Sequence, residues 1–238
     1  MAKRVLKEHD VRKNELLDAA QLLFVERGYD ATPVSAIIEA VGVAKGTFYH
    51  YFRSKEDLLD AQVARITEII FSQVSDAMAA GKQGALEKLR IFFAASSKWK
   101  VANRDALMAV MRPIYAEETS MLRQKMMRRV SEIGVPILEA VIWQGVEEGS
   151  MKTPFPREVA EMLLFTSYAL GNENFRLLEG MEDHPENWDL IMRRVKAYEW
   201  TSERMLGLPE GALQILDEPS IKGFRPKRKR RAKAGGGQ

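Results

Sequence analysis

The sequence of 238 residues predicts an all-α protein, a small N-terminal three-helix unit followed by a larger helical domain. Three observations predict it. Apolar residues recur at helical spacing along most of the chain. No stretch alternates as a strand would. Two short periodic segments meet at Gly42 behind a longer one, which are the proportions of a helix-turn-helix.

Each element has its own signal. Leu16, Ala20, Leu23, Phe24 and Arg27 lie on one face of a first helix from about Val11 to Arg27, stopped by Gly28. Thr32 and Pro33 start the second: the hydroxyl can cap free amides, and proline suits the first helical position. That helix ends near Val41, and a third runs from about Ala44 to Tyr51. Ser54, with an acid three residues on, opens a long fourth helix to about Ala80. Gly81 and Gly84 interrupt it before a fifth, carrying Leu86, Leu89, Phe92 and Phe93, that reaches Lys100. A sixth spans Asn103 to Arg112 and is expected to stop at Pro113. A seventh, Glu117 to Glu147, contains Gly134 and Pro136, where a kink is expected. After a loop at Gly149 to Pro156, helices at Arg157–Leu178 and Pro185–Leu206 complete the periodic part. The expected division is residues 1–53 as arm and helix-turn-helix, 54–207 as a helical ligand-binding and dimerisation domain, and 208–238 as an irregular, basic, disordered tail.

Composition narrows the function. Hydrophobic residues at 46% and charged residues at 29% are ordinary for a globular chain. There is no cysteine, which excludes disulfides and thiolate metal sites and suits a reducing cytoplasm. Met1 to Asp10 is too charged for a secretory signal, and no apolar run approaches the roughly 18 residues of a membrane helix. The net charge of +3 misleads. Lys222, Arg225, Lys227, Arg228, Lys229, Arg230, Arg231 and Lys233 are unaccompanied by any acid, and the rest of the chain holds 28 cations against 33 acids. Nucleic-acid binding therefore has to rest on a local site.

That site is the second short helix of the pair, the element such a motif places in the major groove. Lys45, Thr47, Tyr49 and His50 supply donors for phosphates or base edges, and Gly46 removes a side chain where the partner comes close. Lys55 opens the fourth helix, where its ammonium and the free amides can jointly hold a phosphate. For His50 an exposed or packing role is the alternative. His9, His50 and His184 lie on separate segments with no metal-ligand spacing. No GxSxG, phosphate-binding glycine loop or convergent acid pair is present, so neither an enzyme nor a cofactor is expected.

Phe24-x-x-x-Gly28-Tyr29-x-x-Thr32, followed by GVAKGTFYHYFRSKEDLL from Gly42 to Leu59, resembles the TetR family of bacterial regulators over about residues 11–65. The resemblance implies that Thr32, Pro33, Lys45, Gly46, Thr47, Tyr49, His50 and Lys55 face double-stranded DNA. It further implies a cytoplasmic, nucleoid-associated homodimer joined through its last two helices, binding a palindromic operator as a repressor and released by a small molecule in the C-terminal domain. Ile38 and Ala44 depart from the family pattern, which usually has alanine and serine there. The rival is an architectural or cell-cycle factor of the same type that binds many sites without an inducer.

Phe92, Met108, Met111, Trp143, Phe165 and Tyr168 are candidates for an apolar or aromatic effector site, and equally for ordinary core. The tail has three readings: non-specific phosphate contacts, a solvated end without function, or contact with anionic membrane or RNA.

Overall fold

The computed structural model describes residues 2–115 and 120–215. Among them are nine α-helices and no strand: α1 (Ala2–Arg27), α2 (Val34–Val41), α3 (Lys45–Tyr51), α4 (Lys55–Ala79), α5 (Ala85–Ala102), α6 (Arg104–Tyr115), α7 (Ser120–Glu147), α8 (Pro156–Glu179) and α9 (Asn187–Leu206). A 3-10 turn, Gly180–Glu182, leads from α8 towards α9. The all-α expectation holds. The basic residues from Lys222 onward lie outside the described residues.

Most boundaries follow their local signals. Gly42 ends α2 at φ 70°, a left-handed conformation that lets its N–H return to the carbonyls of Ile38 and Glu39. This is the turn of the helix-turn-helix. Ser54 caps α4 by accepting from the Asp57 amide at 3.2 Å, and the Asp57 carboxylate reaches back to the Arg53 amide at 2.9 Å. Two expectations fail. Helix α1 begins at Ala2, well before Val11. Helix α6 passes through Pro113 to Tyr115. A proline one turn from a helix end forfeits little hydrogen bonding beyond its own, and fully buried Ile114 extends the apolar face of Val110 and Met111.

The core has two large parts. One is built on Leu16, Ala20 and Phe24 of α1, Ile37 of α2, Phe48 of α3 and Leu59 of α4. It continues without a break into Met108, Met111 and Ile114 of α6 and Phe175 of α8. The three-helix head and the body therefore share a core across the boundary expected after residue 53. Buried Gln62 donates to the Leu17 carbonyl, and Arg65 bonds Asp18 at 2.6 Å and Gln21 at 3.1 Å, so polar contacts also tie α4 to α1.

The second part joins α4, α5, α7, α8 and α9. Gly134 lets α7 come close to its neighbours: a Cβ there would stand 2.8 Å from the Phe71 ring and 2.9 Å from Leu164. Residues 208–215, expected to belong to a disordered tail, are irregular but held in place. Leu208, Leu213 and Ile215 are buried in this core. Glu203 and Glu199 accept from the Leu213 and Ile215 amides at 2.9 and 2.8 Å, and the Arg90 guanidinium donates to the Ala212 carbonyl.

Candidate nucleic-acid interface and cavity

Helix α3 has one buried side. Phe48 is fully buried and packs against Phe52 with ring centroids 5.7 Å apart. Positions one or two residues to either side of it therefore turn away from the core, and Lys45 is exposed at the open first turn of the helix. Lys45, Gly46, Tyr49 and His50 are exposed and Thr47 half-buried. Lys45 and Tyr49 stand one turn apart, the ammonium 5.9 Å from the ring centroid. A Cβ on Gly46 would meet nothing within 4 Å, so nothing inside the protein calls for a glycine at this position. Ala44 supplies no side-chain cap, which leaves amides in the first turn of α3 without one.

Pro33 is exposed at the start of α2. Thr32 does not share that surface. It is fully buried, and its hydroxyl donates to the Gly28 carbonyl at 2.7 Å. The hydroxyl thus serves the end of α1, and it caps no amide of α2. The Lys55 ammonium donates to the Tyr29 carbonyl at 2.9 Å and lies 4.2 Å from the Tyr29 ring centroid. It pins the loop after α1 while remaining partly exposed.

Inside the body is a cavity of about 370 Å³ walled mainly by α4, α5, α6, α8 and α9. Of the six candidates for an effector site, Phe92, Met108, Met111 and Tyr168 line it. Trp143 and Phe165 do not, being 50% and 48% exposed. The reason is helical phase: each residue advances the side chain by about 100°, and buried Ile142 and Leu164 immediately precede them. Residues missed from the sequence include Ser96, Ser97, Lys100, Tyr115 and Asn174. Their pattern gives no sign of convergence, since they come from three helices. Burial raises the Tyr115 hydroxyl pKa well above the ordinary tyrosine value. The Asn174 side-chain oxygen is buried without a donor among the described residues. Among the described residues no group of His, Asp and Glu could hold a metal ion, and no helix is long and apolar enough to cross a membrane.

Residues 16–61, from the middle of α1 into α4, match the family model described as bacterial regulatory proteins, tetR family. The chain is 29% identical over 155 residues to the HTH-type transcriptional repressor KstR2 of Rhodococcus jostii, covering 63% of this chain and 72% of that protein. Residues 16–61 form a TetR-type N-terminal domain. A second relative, the fatty acid metabolism regulator protein of Bacillus subtilis, is 23% identical over 181 residues, 73% of this chain and 91% of its own. The solved structure of the fatty acid degradation regulator FadR from Bacillus halodurans superposes with a TM-score of 0.55 at 26% identity, covering 68% of this chain and 82% of that one. With this domain and a transcriptional repressor among its relatives, the chain is a DNA-binding transcriptional regulator with an N-terminal helix-turn-helix.

Proposed function

We propose that the chain is a repressor that binds a palindromic operator as a homodimer and is released when a small, mainly apolar molecule fills the cavity. The observation that carries this reading is a shared wall. Val63 and Ile66 of α4 and Met108 and Met111 of α6 line the cavity, and the same four side chains belong to the core that holds α1, α2 and α3. A ligand that reshapes this wall has a packed path to the recognition helix, and its effect on operator affinity equals its preference for one arrangement over the other.

In this reading Lys45, Gly46, Thr47, Tyr49 and His50 meet the major groove, with Gly46 admitting the sugar-phosphate backbone or a base edge. Pro33 meets the flanking backbone, and Lys55 adds positive charge at the start of α4. Thr32 takes part only by shaping the loop. The dimer surface is formed by α8 and α9, where Met162, Phe165, Leu190 and Trp200 are exposed. Apolar residues in such number on adjacent helices fit a helix-pair interface between two copies. Two relatives carry names from fatty-acid metabolism, in keeping with an apolar effector.

Selection of bound duplexes from a random DNA pool, with the full chain and with a chain ending at residue 221, tests the proposal. Both are expected to recover one palindromic sequence, with the shorter chain losing salt-dependent affinity for non-specific DNA. Enrichment of no sequence by either would overturn operator binding and favour the architectural rival. Lys45→Ala is expected to lower the salt slope of operator binding by about 0.9 for each phosphate contact removed, read from affinities across a salt series.

A further inference from the structure

The cavity wall is aliphatic, aromatic or thioether over most of its extent, and Lys100 is the single charged residue among the described residues that line it. Lys100 follows Ser96 and Ser97 by four and three positions on α5. That spacing puts both hydroxyls and the ammonium on neighbouring positions of one helix face, and all three residues line the cavity. No hydrogen bond or ion pair joins the Lys100 ammonium to a described residue. Lys100 is exposed, and the dense protein around it lowers its pKa through desolvation.

A lone ammonium beside a largely apolar wall is better stabilised by an anion held in the cavity than by the wall itself. The described wall offers no carboxylate to neutralise it. One cation and two hydroxyls suit a head group with one negative charge, whereas a doubly charged phosphate monoester would be left half-compensated. The rest of the wall, with Ile66, Ile70, Phe92 and Met108 among it, suits hydrocarbon. The volume of about 370 Å³ lies towards the small end of the roughly 300–1,000 Å³ typical of ligand sites, which favours a compact molecule.

We propose that the cavity binds an apolar monocarboxylate, with its carboxylate on Lys100 and the Ser96 and Ser97 hydroxyls and its hydrocarbon along α4, α6 and α8. This deepens the effector reading above and rests on it.

Calorimetric titration of the full chain with dodecanoate and with dodecanol, its uncharged counterpart, isolates the head group. Dodecanoate is expected to bind at least about tenfold more tightly, the worth of one charge-assisted contact. In Lys100→Met the preference is expected to fall to about one, and Lys100→Arg is expected to retain it. Equal binding of acid and alcohol by the unaltered chain, or a preference that survives Lys100→Met, would overturn the carboxylate assignment and leave the effector cavity standing. Uptake of a neutral apolar dye, phenylnaphthylamine, checks the cavity separately. A chain that takes up neither the dye nor either dodecyl compound overturns the cavity reading and the proposal together.

Discussion

Thr32 and Lys55 have the residue types of a DNA contact, and both have bonds to keep within the protein. The Thr32 hydroxyl satisfies the Gly28 carbonyl from a fully buried position. Thr32→Val preserves the shape and removes the donor, leaving that carbonyl without this partner. The expected loss is about 1–3 kcal/mol of folding stability, measured by urea unfolding, with the Tyr29 loop loosening before the body does. No spacing rule separates a threonine that turns inward from one that turns to solvent in an irregular segment. The helical positions were readable for the opposite reason. Once Phe48 is assigned to the core, the phase of α3 turns Gly46, Tyr49 and His50 away from it.

At the scale of elements, the start signals in the sequence are physical ones. Ser54 does cap α4, and Gly42 does turn the chain left-handed after α2. Pro113 misled because a proline penalises a helix locally, while the burial of Ile114 that offsets it depends on contacts far away in sequence. The start of α5 is another such case. Its Ala85 amide donates to the Glu148 carboxylate at 2.9 Å, a cap supplied from just beyond the end of α7. That bond, followed by one from Gln144, holds the Glu148 pKa below the ordinary glutamate value. A carboxyl with a lowered folded-state pKa stabilises fully above its unfolded value and loses that contribution as pH falls through the lowered one. Glu148→Gln is therefore expected to flatten the acid limb of stability from the ordinary glutamate pKa downward. Thermal midpoints collected across that range check it.

For the whole molecule, the helical architecture was legible and the closure of the body was not. Residues 208–215 read as the start of a tail because they lack helical periodicity. Their burial depends on Glu199, Glu203 and Arg90, which gather around them only after folding. Leu213, 2% exposed, is anchored there. Leu213→Ala is expected to cost about 2–5 kcal/mol, seen as a lower midpoint in denaturant with the helix content of the folded state unchanged. The cavity was half legible. The apolar types of Phe92, Met108, Met111 and Tyr168 marked them as candidates, but only the packed helices show that Trp143 and Phe165 point elsewhere.

The core shared by α1, α2, α3, α4 and α6 also bears on how this regulator can be re-engineered. Grafting its head onto another sensor by cutting after Arg53 would sever Phe24, Phe48 and Phe52 from the side chains of α4 and α6 that complete their packing. A viable chimera has to carry the first half of α4 and a matching α6 surface along with the recognition helix. If the proposed operator and effector reading holds, both traits are inherited through a common seam, and exchanging one obliges the designer to rebuild part of the other.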